Sequence, residues 1–306
     1  MDDHSFDEII KRVTAELSAR GLLNPDSTPA QPALSNPPID PSSAGWQGVD
    51  LPDPTTRAER EHPGVVSPAD AEGLTALMSV TPARVAVGKA GARYRTHAWL
   101  LFQSDFAVTQ DALYRSVDES LLAQLGLFSV QSAVTGGRQE YLLRPDLGRK
   151  LSPEAAQEIT ARCRQSPNLQ ICVGDGLSAA AVEANLSRIL PVITQGAASA
   201  HLSVGTPFYI QNCRVGIMNE IGDLLKPDVL ILLIGERPGL GRAESMSAYM
   251  AYRPKTGDTD AERDVICNIF DGGTNPLEAG AYTLQLARKM IEKQASGVRL
   301  KQMEGA

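Results

Sequence analysis

The chain has 306 residues, enough to bury a large core, with 42% hydrophobic and 21% charged residues. Its 36 acidic side chains outnumber 29 basic ones, for a net charge of −7, which argues against a clustered basic face and so against nucleic acid as a main partner. No apolar run approaches the roughly 18–20 residues that cross a bilayer, and the opening MDDHSFDE is acidic where a secretory signal is basic, so the expectation is a cytoplasmic protein with no membrane segment.

Residues 1–21 place Phe6, Ile9, Ile10, Val13 and Leu17 on one helical stripe, with acidic residues early, basic residues late and Gly21 as a stop. A helix this short is marginal alone, so it is expected to dock on a partner. Residues 22–66 are expected to be a flexible linker, since ten of the chain's 20 prolines lie between Asn24 and Pro68 among Ser, Ala, Asp and Gln. The folded body then begins near Ser67, where Ser67-Pro68-Ala69-Asp70 offers a helix cap, a proline at the first helical position and an acidic third residue.

Residues 67–150 read as a helical and β-hairpin region. HAWLLFQSDFA, from His97, is an apolar helix, and FSVQSAVTGGRQEYLL alternates around Gly136-Gly137 as a hairpin would. Residues 151–306 change rhythm: strand LQICVG from Leu169, helix 179–195, strand PFYIQ, helix 217–225, strand VLILLI from Val229, and a late helix over 275–294. Short apolar runs alternating with amphipathic helices predict an α/β fold with a Rossmann-like parallel sheet, whose functional loops leave the strand ends at 174–178, 211–215 and 235–241.

The last of these loops, GERPGLG, is neither GxxxxGK[ST] nor GxGxxG, and Pro238 removes an amide that a phosphate cradle would use. Glu236 stands in it at the mouth of a buried strand and needs donors, for which Arg237 or Arg242 as an ion pair, or an amide-rich ligand, are the candidates. Asp175 in the DGLS loop reads first as the cap of the following helix. Cys163, Cys172, Cys213 and Cys267 have no CxxC pairing and no His at ligand spacing, and are read as buried reduced thiols; no metal site is expected. Of the four histidines, His4 and His62 lie in the tail and linker, and no GxSxG elbow accompanies His97 or His201, so no catalytic residue is assigned to this chain.

Taken together and in order over roughly residues 80–300, these motifs resemble one family, the small (light) subunit of adenosylcobalamin-dependent ethanolamine ammonia-lyase. The residues that carry the resemblance are ARVAVGKAGARYRT (83–96), YLLRPDLGRKL (141–151), DGLS (175–178), VGTPF (204–208), Arg214-Val215 before the IGD of a helix, VLILLIGERPGLG with ESMSAY (244–249), and GGTNPLEA (272–279).

The resemblance implies a carbon–nitrogen lyase that converts ethanolamine to acetaldehyde and ammonia by radical chemistry, active only as a hetero-oligomer with a large barrel subunit. This chain's Rossmann-like domain, 151–306, would bind cobalamin at its strand ends, with residues 67–150 packing on the core and the large subunit. Carried onto this sequence, the cofactor contacts are Val215, Glu236 and Val265. The family position that is often Cys falls on Val265, because Asn268-Ile269 before Gly272-Gly273 sets the frame; Cys267 is the alternative if a loop length differs. The chain lacks DxHxxG, His201 having Ser199 two residues before it, so the cofactor is expected base-on, with its own dimethylbenzimidazole. Family members commonly work inside a bacterial microcompartment, which makes shell proteins the expected partners of residues 5–20. Two other readings remain open: a non-catalytic scaffold or cargo adaptor, and a nucleotide-binding Rossmann-type enzyme.

Overall fold

The computed structural model describes residues 62–81 and 83–304, with Thr56, Ala58 and Glu59 besides. The expected helix over residues 1–21 and nearly all of the linker 22–66 lie outside the described residues. Helix α1 (Ala71–Ser79) starts at Asp70, whose carboxylate accepts the Gly73 N–H at 2.8 Å. The cap is therefore Asp70 and not Ser67, which corrects the sequence reading: a short acceptor three residues before a free helical N–H outcompetes the Ser-Pro signal upstream.

A two-stranded ribbon, β1 (Lys89–Ala90) and β2 (Arg93–Tyr94), leads into α2 (Thr96–Tyr114). Only Ala98, Asp105 and Ala112 of α2 are buried, while Trp99, Leu100, Phe106 and Tyr114 are more than half exposed. After α3 (Glu119–Gln124), β3 (Phe128–Gln131) joins the main sheet as a parallel edge strand. The expected hairpin around Gly136-Gly137 is absent, because its second arm is helix α4 (Gly137–Leu143). The Glu140 carboxylate accepts the Thr135 and Gly136 N–H groups at 2.9 and 2.6 Å, satisfying donors at the helix start that a hairpin would have used in its ladder.

Helix α5 (Pro153–Arg162) precedes β4 (Leu169–Gly174), α6 (Ala179–Ser199), β5 (Phe208–Gln211), α7 (Met218–Leu225) and β6 (Val229–Gly235). These follow the expected alternation closely, since each strand is a short run that only burial on both faces accommodates. Val229, Ile231 and Leu233 of β6 face a core shared with α6, and Leu230, Leu232 and Ile234 face a second core shared with α5 and α7.

The chain then turns back. Strands β7 (Met246–Tyr252) and β8 (Arg263–Ile269) continue the sheet in antiparallel register, Leu232 opposite Tyr249 and Tyr249 opposite Val265, before α8 (Pro276–Lys293) and α9 (Gly297–Glu304). The sheet is thus mixed, in the order β3-β5-β4-β6-β7-β8, and not the wholly parallel sheet expected. Ser247, Ala248 and Ala251 dilute the apolar pattern of β7, and β8 is an edge strand whose Arg, Asp and Asn residues give no continuous apolar run. No helix among the described residues is long and apolar enough to cross a membrane.

Candidate functional site

The loops after β4 and β5 leave toward opposite faces of the sheet, one into α6 and the other into α7. The crevice between such adjacent strand ends is where open α/β sheets take ligands. Here it is a cleft of about 310 Å³, at the lower end of small-molecule sites, reached by Gly176, Leu177, Arg214, Val215, Gly235, Glu236, Ser247, Tyr249 and Cys267.

Its backbone floor depends on glycine. Gly176 has φ +54°, and a Cβ there would lie 2.2 Å from the Gly235 carbonyl oxygen; a Cβ on Gly235 would lie 2.1 Å from that of Ser178. The two strand-end loops touch because neither has a side chain at the crossing point. Ser178 caps α6 by accepting the Ala181 N–H at 3.2 Å and donates its own hydroxyl to the Ala243 carbonyl at 2.5 Å. Helix α2 holds the outer turn of the β6–β7 loop through the Thr109 hydroxyl, which donates to the Gly239 carbonyl at 2.9 Å.

Glu236 is half-buried and built into this frame by three donors. The Ser245 hydroxyl donates to one carboxylate oxygen at 2.7 Å; the Ser247 hydroxyl and the Asn268 N–H donate to the other at 2.5 and 2.8 Å. The Asn268 amide is free to do so because β8 carries an extra residue against β7 between Met246 and Ala248, with Asn268 in the left-handed region at φ +64°. Neither Arg237 nor Arg242 pairs with Glu236, which corrects the ion-pair candidate: the Arg242 guanidinium lies over the Phe270 ring at 5.9 Å. A carboxylate offers about four acceptor positions, so these three donors leave one unused on a residue that lines the cleft. Ser245 and Ser247 lie in the ESMSAY segment, but their role depends on β7 turning back to pair with β6, and that of Asn268 on β8 pairing with β7, neither of which local sequence reveals.

Asp175 is not a helix cap. Ser178 takes that place, and the Asp175 carboxylate accepts the Asn212 and Cys213 N–H groups at 3.0 Å each and pairs with Arg138 at 3.3 Å. Burial pushes its pKa up, against the opposing pull of Arg138 and the backbone donors. Arg138 and Arg214 both stack on the Tyr141 ring, at 4.5 and 4.2 Å, and the Tyr141 hydroxyl donates to the Cys213 carbonyl at 2.8 Å. Burial raises the Tyr141 pKa above its ordinary value, so the phenol stays protonated and donating.

Of the three residues singled out from the sequence, Val215 and Glu236 line the cleft together. Val265 is 45% exposed on β8, opposite the cleft-lining Tyr249, while Cys267 two positions on reaches the cleft itself. Cys163, Cys172 and Cys213 are buried free thiols as expected; Cys267, on edge strand β8, is exposed among the described residues, which corrects the reading of all four as buried.

Residues 71–301 match the family model of the ethanolamine ammonia-lyase light chain. The chain is 46% identical to the ethanolamine ammonia-lyase small subunit of Clostridium perfringens over 237 residues, 78% of this chain and 80% of that one. It is 40% identical to the small subunit of Listeria innocua over 301 residues, covering 98% of this chain and all of the relative. With the small subunit of Clostridium tetani it shares 41% identity over 293 residues, 96% of this chain and 97% of the other. A match that extends over the cleft, the glycine crossing and the Glu236 loop is a match of the whole folded body: the chain belongs to the ethanolamine ammonia-lyase light-chain family.

Proposed function

We propose that this chain is the small subunit of an adenosylcobalamin-dependent ethanolamine ammonia-lyase, deaminating ethanolamine to acetaldehyde and ammonia in a hetero-oligomer with a large subunit. Family membership supports the reaction, and one observation carries the cofactor reading: Glu236 lines the cleft, held by Ser245, Ser247 and the Asn268 N–H with one acceptor position unused.

The residues present fit the group. A corrin edge carries neutral acetamide and propionamide arms, which need isolated acceptors and donors on a mostly apolar wall. Glu236 would accept an amide N–H; Val215 would offer its backbone where β5 gives way to α7; Val265 would contribute backbone only, since its side chain cannot hydrogen-bond. Leu177 and Tyr249 supply apolar contact beside them. When bound, adenosylcobalamin supplies a carbon-centred radical by homolysis of its cobalt–carbon bond. This chain's residues do not exchange protons with the substrate in this reading: they orient the cofactor and keep water from one side of it.

The exposed apolar face of α2, with Trp99, Leu100, Phe106 and Tyr114, fits a surface for the large subunit. Residues 5–20 are proposed to engage shell proteins of a microcompartment. The test is acetaldehyde release from ethanolamine with adenosylcobalamin, for this chain alone, a cognate large subunit alone, and the two co-expressed. Activity only in the co-expressed sample is expected. A folded, assembled complex without activity would favour the non-catalytic scaffold.

A further inference from the structure

The charges around the cleft do not cancel. Arg214 and Arg237 both reach it, and among the described residues neither takes part in an ion pair. Glu236, the nearby acid, is already held by hydroxyls and a backbone amide. Arg237 is exposed and has no restraint, whereas Arg214 is fixed in place. Its backbone N–H donates to the Gly148 carbonyl at 2.8 Å, and its stem crosses Gly148 so closely that a Cβ there would come within 2.7 Å of Arg214 Cγ. Its guanidinium lies on the Tyr141 ring and donates through Nη2 to the Tyr141 carbonyl at 3.3 Å, while Nε is buried with no hydrogen-bond partner. Nε is sealed and is not the atom a ligand would meet, but the residue lines the cleft with its charge partly out of water and in no ion pair, and an anion entering the cleft would offset that cost.

We infer that Arg214 is the anion-binding residue of this cleft and takes the phosphodiester of a cobalamin that retains its nucleotide loop. The inference rests on the cofactor reading above and adds the group that this residue recognises. The amide arms of a corrin are neutral, and the phosphodiester between the corrin side arm and the ribose is the anionic group of the complete cofactor. A planar guanidinium suits its two free oxygens better than an ammonium does. Val215, next in the chain, lines the same cleft, so one strand end would address a corrin arm and the phosphodiester together.

The experiment is equilibrium dialysis of the assembled two-subunit complex against cyanocobalamin and against dicyanocobinamide, which has the corrin and its amides but lacks the nucleotide and its phosphodiester. R214Q is expected to weaken cyanocobalamin binding about 10- to 100-fold, the range for a charge-assisted contact, and to leave cobinamide binding as in wild type. R214K, which keeps the charge and loses the fork, should show a smaller loss confined to cyanocobalamin, and it carries the test if R214Q does not assemble. Equal loss of both corrinoids, or loss of neither, overturns the role given to Arg214. A wild-type complex that takes up neither corrinoid removes the cofactor reading itself, a result distinct from either of those.

Discussion

The mouths of β4 and β6 are spelled almost alike, Gly174-Asp175-Gly176 and Gly235-Glu236-Arg237, yet their carboxylates end in opposite situations. Asp175 is sealed: two backbone N–H groups of the β5 loop and Arg138 enclose it, and it locks the β4 and β5 loops to one another. Glu236 is propped from one side by two serine hydroxyls and the amide of a β8 bulge, and its other side faces the cleft. The extra methylene of Glu does not decide this. What decides it is the neighbour in the sheet: β4 sits between two parallel strands whose loops close over it, whereas β6 is flanked by β4 and by antiparallel β7, which turns back and leaves that corner open. A carboxylate at a strand end is therefore sealed in the fold or left at an open cleft according to what lies beside the strand.

That contrast is broken most easily at Asp175. D175N leaves Arg138 buried without its partner and turns one acceptor into a donor facing an N–H, so unfolding of the full chain should lose about 3–5 kcal/mol in a urea titration. A D175N chain as stable as wild type would place Asp175 and Glu236 in the same class. Next comes G176A, which forces a side chain into φ +54° and against the Gly235 carbonyl; a loss of about 2 kcal/mol or more is expected, read as a lower urea midpoint with unchanged slope. E236A should change stability by about 1 kcal/mol at most, since cleft water can replace the carboxylate for its three donors. A loss as large as that of D175N would show that Glu236 is structural after all.

The smallest effect is on pH dependence, outside both strand ends. The N–H of Gly136, and next that of Thr135, hold the Glu140 carboxyl below its ordinary pKa. Because the folded value is depressed, its contribution is present above the ordinary Glu value and is lost as pH falls through the lowered one. Thermal melts across that acid range should show E140Q with a flatter decline than wild type, and identical slopes would remove Glu140 from the account.

Much of this was legible from sequence because the parallel strands are buried on both faces and so must be short apolar runs. LQICVG and VLILLI announce themselves, and the helices between them follow from their spacing. Strands β7 and β8 were not legible: alanine, serine and charged side chains suit an antiparallel extension with a solvated edge, and nothing local says that they pair. The donors to Glu236 come from the antiparallel pairings of β6 with β7 and of β7 with β8, so the residue was visible as a question while its answer was not. Asp175 was misread because a helix start after Gly-Asp-Gly offers two capping candidates, and only the position of the β5 loop shows that Asp175 is already engaged while Ser178 is free to cap. The hairpin misreading near Gly137 has the same origin, since six residues of alternation cannot separate a strand arm from two helical turns capped by Glu140.

The proposed role of Glu236 as an acceptor prearranged for the cofactor is tested most directly by the affinity of the assembled two-subunit complex for cyanocobalamin, wild type against E236A. Binding weaker by about 1–3 kcal/mol, roughly 5- to 150-fold, is expected in a complex that assembles and melts like wild type. Unchanged affinity in such a complex would contradict it.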